Sequence, residues 1–280
     1  MSRPAVTLDF SPDPAEQARL AGKRLVTTDL DSAQIAALPR AAREAAFFSA
    51  KVQDARVLAT LKAEAQKALD LTGNDSRAAF VANMRKLIGG QRGNVANLQG
   101  DSGQLTDITS GRRLGLIYDH QLTEARARAT WLREQTPALL DEYPCQELVR
   151  VRASRNPRGD WQERFLAAGG KPSRSGRPIA RKDDPVWKNL SRFGSPYPPF
   201  DYGSGMGVRN VDREESIAEG VIAAGDVIAP TAASHEWEVE HEWHDADPQT
   251  KDLLLDFMQE HFGNAVRSTA DGRLILKPRP

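Results

Sequence analysis

A chain of 280 residues is long enough for one or two packed domains, and its 40% apolar and 27% charged residues exclude a wholly disordered chain. Thirty-eight basic residues balance 38 acidic ones, so the large positive surplus of a DNA-coating protein is absent. A single cysteine, Cys145, excludes an internal disulfide and a cysteine-based zinc clip, and fits a reducing compartment.

The first 40 residues mix Pro4, Pro12, Pro14 and Pro39 with short polar and apolar pieces, and predict an extended arm. They offer no apolar signal core, and no run in the chain approaches the roughly 18 apolar residues that span a bilayer. The expected location is the cytoplasm or the inside of a particle.

Residues 41–108 read as a helical region. Leu58, Leu61, Ala65 and Ala68, at spacings of three and four, predict an amphipathic helix that stops near Gly73. Ser76 opens a second, with Phe80, Met84, Leu87 and Ile88 on one face and Gly89-Gly90 at its end. The glycine-rich stretch 89–110 predicts a flexible connection. A long third helix follows on Leu114, Tyr118, Leu122, Ala125, Ala129 and Leu132, its opposite face carrying Asp119, Glu124, Arg126, Arg128 and Arg133.

Past Pro144, the alternation Val149-Arg-Val151-Arg-Ala153 predicts a strand with one buried face. Residues 156–210 are rich in Gly, Pro, Arg and Ser, yet their seven Trp, Phe and Tyr residues point to a folded, loop-rich segment. The basic stretches Arg150–Arg158 and Lys171–Lys182 read as solvated surface. Asp247-Pro248 predicts a capped helix with Leu254, Phe257, Met258 and Phe262, ended by Gly263, and then a hairpin of Ala265-Val266 with Leu274–Leu276. Together the elements predict an α+β protein: an N-terminal helical region, a loop-rich mixed α/β core over 109–215, and a small C-terminal α/β segment over 216–280.

The order of three elements is distinctive. Ala45-Ala46-Phe47-Phe48 precedes the Leu-rich helix and Phe80, and Gly111-Arg112-Arg113-Leu114 opens the third helix. Asp183-Asp184-Pro185-Val186-Trp187 is followed by Ser195-Pro196-Tyr197-Pro198-Pro199-Phe200-Asp201-Tyr202. In this order, over about residues 40–215, the chain resembles the Mu F-like minor head (head morphogenesis) proteins of tailed bacteriophages. The resemblance implies a minor structural protein of a phage or prophage that acts in procapsid assembly with portal and major capsid or scaffold proteins. It places the chain in the virion, and in the host cytoplasm during assembly, and it leaves room for packaging near DNA. No catalytic residue, cofactor, metal or membrane partner is expected. The aromatic and proline elements read first as core and turn scaffold, since Trp187 and Phe200 supply large apolar area and prolines fix turns. The alternative is a binding surface, to which Asp184, Pro185, Trp187, Tyr197, Pro198, Pro199 and Phe200 would contribute, with Arg150 and Arg152 on the strand. Many family members carry Arg-x-x-His where this chain has Arg158-Gly159-Asp160-Trp161, and Cys-Arg-Cys where it has Gly205-Met206-Gly207-Val208. A metal or thiol role of those residues is therefore not carried over.

The alternative from another class is an enzyme, either ADP-ribosyltransferase-like or metal-dependent, centred on Glu238, Glu240, His241 and His244. His241-Glu242-Trp243-His244 is one residue short of the His-Glu-x-x-His zinc motif, and the alternation of Trp237 and Val239 with glutamates fits a short strand. Glu238-Val239-Glu240 matches the three-residue Glu-x-Glu motif of mono-ADP-ribosyltransferases, but no strand supplies the nicotinamide-positioning partners. The sequence holds neither a phosphate loop of the Gly-x-x-x-x-Gly-Lys-[Ser/Thr] type nor a Gly-x-Ser-x-Gly nucleophile turn.

Overall fold

The computed structural model describes residues 13–70, 76–91, 103–153, 157–231, 239–241, 247–263, 266–268 and 274–276. Helix α1 (Pro14–Ala21) opens on Asp13, whose carboxylate accepts from the Ala15 N–H. Pro14 takes the first helical position, where a missing N–H costs nothing. After β1 (Arg24–Leu25), α2 (Ser32–Ala37) starts in a capping box: Asp31 accepts from the Ala33 and Gln34 N–H groups, and the Gln34 side chain accepts from the Asp31 N–H. Helix α3 (Arg40–Ala45) runs into β2 (Ala46–Phe47), which pairs in parallel with β1. The extended arm expected over 1–40 is thus replaced, in its described part, by two capped helices with Leu20, Val26, Leu30, Ile35 and Leu38 buried. Its prolines do not oppose this, because Pro14 and Pro39 both stand at helix starts, where the ring is tolerated.

Helices α4 (Ala55–Leu69), α5 (Ser76–Gln91) and α6 (Gly111–Arg133) follow the predicted periodicity, though α5 continues through Gly89-Gly90 to Gln91. The predicted stop at Gly73, and 92–102 of the predicted connection, lie outside the described residues. These helices and α1 enclose one core, in which Leu20, Leu58, Leu61, Met84, Ile88 and Leu114 are sealed from solvent. Asp54 caps α4 by accepting from the Arg56 and Val57 N–H groups at 2.8 and 3.2 Å. Replacing Asp54 with Ala orphans those donors and is expected to lower stability by about 1 kcal/mol. The urea midpoint should fall at unchanged slope, and an unshifted midpoint would show the cap to be idle.

The middle of the chain is built on a three-stranded antiparallel sheet. After α7 (Pro137–Glu142), β3 (Cys145–Arg150) runs between β4 (Ile179–Arg181) and β5 (Met206–Val211). Short helices α8 (Trp161–Ala167), α9 (Val186–Leu190) and α10 (Arg213–Ala218) fill the connections. One sheet face meets Trp161, Phe165, Trp187 and Phe200, and the other meets Leu140, Ile222 and Ile228. A central strand covered on both faces shows no clean polar alternation. The strand expected around Val149–Ala153 therefore lies earlier, and Val151, expected inside, is 65% exposed.

Near the end, β6 (Val239–His241), β8 (Leu274–Leu276) and β7 (Val266–Ser268) form a second antiparallel sheet in that order, beside α11 (Pro248–Phe262). Asp247 caps α11, and Gly263 ends it with φ +52°, a conformation that suits a residue without Cβ. Leu254, Phe257, Met258 and Val266 pack on Val26, Leu30, Ile35, Leu38, Ala42 and Ala46, so the N- and C-terminal parts of the chain share one core. The protein is an α+β protein, with eleven helices and three small sheets among the described residues.

Candidate functional site

Helix α6 separates two environments. Leu114, Tyr118, Leu122 and Ala125 enter the helical core, whereas Arg113, Leu116, Ile117, His120, Gln121 and Glu124 recur at three- and four-residue steps on another face. That second face lines a cavity of about 340 Å³. Arg19 of α1, Lys23, and Arg40, Arg43 and Glu44 of α3 supply further wall, and Phe48–Ala50 with Arg192, Phe193, Pro199 and Tyr202 close it.

Charge in this cavity is unevenly matched. Six cationic side chains face it against two carboxylates, and both carboxylates are engaged. Glu124 accepts from Arg19 Nη2 at 2.6 Å and from Lys23 Nζ at 3.0 Å, while Glu44 accepts from Arg40 Nε at 2.7 Å. Burial raises the Glu124 pKa, but Lys23 and Arg19 outweigh it and bring the carboxyl down to about 2. Lys23 moves the other way from a normal partner in an ion pair: burial pushes it down more than Glu124 raises it, with Arg19 adding repulsion. The pair is thus an ionised carboxylate between two buried cations.

Among the described residues Arg43 and Arg113 have only neutral acceptors. Arg43 Nε donates to the Leu38 carbonyl at 2.9 Å and Nη1 reaches the Arg192 carbonyl at 3.5 Å. Arg113 donates to the Thr106 and Ala50 carbonyls and to Ser49 Oγ. Burial lowers the pKa of both guanidiniums, and for Arg43 the nearby Arg40 and Arg192 lower it further.

His120 stands between Phe193 and Tyr202, with ring centroids 4.8 and 5.2 Å away. Its ring borders the cavity, yet Nδ1 is sealed from solvent and has no hydrogen-bond partner among the described residues. Burial first, then Lys23 and Arg43, push its pKa down to about 4 against the pull of Glu124, so the imidazole is neutral at pH 7. A neutral ring beside unmatched guanidiniums can hydrogen-bond a bound group while the arginines carry the charge attraction.

The residues singled out from sequence mostly serve the fold. Trp187 and Phe200 are fully buried, Tyr197 and Pro198 are buried, and the two rings of Trp187 and Phe200 stack at 6.1 Å. Trp187 Nε1 donates to the Arg181 carbonyl at 2.8 Å. Asp184 accepts from the Val186 N–H at the start of α9, and Pro185 is exposed beside it. Of the two readings of these aromatic residues, the structure has the core and not the docking surface, because large rings gain most when removed from water. Pro199, joined to Pro198 by a cis peptide bond, is the member of that set that reaches the cavity. Arg150, the last residue of β3, donates to the Ser204 and Arg158 carbonyls, and Arg152, expected on the strand but lying past its end, pairs with Asp119 at 2.8 Å, so both have partners within the chain.

Where relatives of the resembled family carry a histidine, Trp161 is buried in the sheet core with the Arg164 guanidinium 4.9 Å from its ring. At Gly205, with φ +67°, a Cβ would lie 2.4 Å from the Arg152 carbonyl, so this glycine is needed where β5 begins. Glu240 and His241 lie in β6, but their side chains, like Glu238 and His244 entirely, lie outside what is described. Among the described residues no three His, Cys, Asp or Glu side chains gather in a way that could hold a metal ion. No helix among them is long and apolar enough to cross a membrane.

The cavity was not foreseen from sequence. Arg113, His120 and Glu124 share one helix face at steps of seven and four, and that spacing was the available signal. No protein-family model, curated protein or solved structure matches the chain.

Proposed function

We propose that the chain is a minor structural protein of a tailed phage or prophage, acting in head assembly beside the portal and the major capsid or scaffold proteins. The observation that carries this reading is that the Asp-Asp-Pro-x-Trp and Tyr-Pro-Pro-Phe elements, which bear the Mu F-like resemblance, pack as one continuous scaffold around Trp187 and Phe200. Asp184 accepts from the Val186 N–H and Trp187 Nε1 donates to the Arg181 carbonyl, so these polar atoms hold the scaffold together. In this reading the protein resides in the virion, near head or portal, and in the host cytoplasm while particles form. DNA contact through Arg150 and Arg152 is not part of the proposal, since both guanidiniums already have partners within the chain.

The test is co-expression of the tagged chain with the portal protein encoded in its gene neighbourhood, followed by sizing at about 0.3 M salt, where exposed charges are largely screened. A co-migrating complex, and the chain in purified particles by mass spectrometry, are the expected results. A chain that elutes alone and is missing from particles would overturn the assignment.

A further inference from the structure

We propose that the cavity between α2, α3, α6 and the Arg192–Tyr202 loop binds a small organic anion, one carboxylate or phosphate group held by Arg43 and Arg192 and an apolar body lying against Phe48, Leu116 and Phe193. The inference is independent of the head-assembly reading.

Three features of the cavity point to it. Arg43 and Arg192 adjoin through the contact of Arg43 Nη1 with the Arg192 carbonyl; among the described residues Arg43 forms no ion pair, and Arg192 forms a long, shared one. Arg192 stands 3.8 Å from Asp201, whose carboxylate also serves Arg158 and Arg164, and its guanidinium lies 5.7 Å from the centre of the Tyr202 ring. Neutral carbonyls satisfy the donors of Arg43 but leave its charge unmatched, and an anion in the cavity gains from both guanidiniums at once. The wall as a whole adds a second, separate signal: six cationic side chains face the cavity against two carboxylates, both already paired.

The remaining wall selects the body of the ligand. Ile35, Phe48, Leu116, Ile117 and Phe193 present apolar area opposite the cations, and a bare inorganic ion would leave that area wet. A volume of about 340 Å³ accommodates a single substituted ring or a short branched chain. Carboxylate and phosphate share the charge and the planar or tripodal acceptors that guanidinium recognises, and the two are separated by experiment.

Calorimetric titration of the full chain with phenyl phosphate, benzoate, inorganic phosphate and phenol tests the site. One-to-one saturable binding of phenyl phosphate or benzoate is expected, with the tighter of the two naming the head group, weaker binding of inorganic phosphate, and none of phenol. Arg192→Gln, at an exposed side chain, and Arg43→Gln should each weaken that binding about tenfold or more, the loss typical of a charge-assisted contact. Because Arg43 also ties down the Leu38 carbonyl, Leu116→Trp provides a second route: it fills the cavity from α6 and should abolish binding in a chain that still unfolds cooperatively. No saturable heat with either aromatic anion, or binding unchanged in both Arg192→Gln and Leu116→Trp, would overturn the site. Inorganic phosphate binding as tightly as phenyl phosphate would overturn the apolar half of it.

Discussion

Glu124→Gln is expected to unfold with about 3–5 kcal/mol less free energy than the parent chain at pH 7, the usual cost of removing one partner from a buried charge cluster. The substitution keeps the shape of the side chain and deletes only its charge, so Arg19 and Lys23 are left facing each other with Gln121 as a neutral acceptor. Lys23, already pushed down by burial, should respond by shedding its proton more readily. The folded pKa of Glu124, about 2, lies below its ordinary 4.5. Its stabilisation is therefore fully present above pH 4.5 and lost as pH falls through 2, and the gap corresponds to about 3 kcal/mol. Urea unfolding followed by tryptophan fluorescence measures the loss directly. Adding Lys23→Met to Glu124→Gln should recover part of it, since one stranded cation is gone. A single-variant loss below about 1 kcal/mol would mean that the cluster is solvated and does not hold α1 to α6.

That cluster also marks the boundary of what the sequence discloses. The apolar stripe of α6 is written at steps of three and four from Leu114 to Ala129, and it is buried as its period implies. Its polar stripe reads as a solvated face, because nothing within twenty residues of Glu124 announces that Arg19 and Lys23, about a hundred positions earlier, will cover it. Ion pairs across such separations depend on the tertiary fold, and local pattern carries no information on them. The α11 face of Leu254, Phe257 and Met258 was equally legible, whereas its partner was not. In the N-terminal segment Asp31-Ser-Ala-Gln34 has the form of a capping box, a local helix-start signal that the expectation of an extended arm leaves unused. Trp187 and Phe200 stack on each other, but periodicity cannot tell a ring that packs inward from one that docks a partner.

His120 should make the protein sensitive to mild acid well before Glu124 is protonated. The folded pKa, about 4, lies below the ordinary 6.5, so the unfolded chain binds the proton first. Stability is then constant from this source above pH 6.5, falls between 6.5 and 4, and levels off below, for a total of about 3 kcal/mol. The groups facing the ring are Lys23 and Arg43, which oppose its protonation, and Glu124, which favours it; Phe193 and Tyr202 pack against it. Urea unfolding at pH 7 and pH 4.5 gives the slope, and His120→Gln should remove most of it because the amide does not titrate in this window. A parent chain as stable at pH 4.5 as at pH 7 would show the imidazole to be in contact with solvent. The two acid-sensitive groups also differ in what a ligand does to them. An anion held by Arg43 and Arg192 would sit near His120 and raise its folded pKa, narrowing the window in which acid destabilises, while leaving Glu124 paired with Arg19 and Lys23. The pH profile measured with and without phenyl phosphate therefore separates occupation of the cavity from a general salt effect, which would move both limbs together.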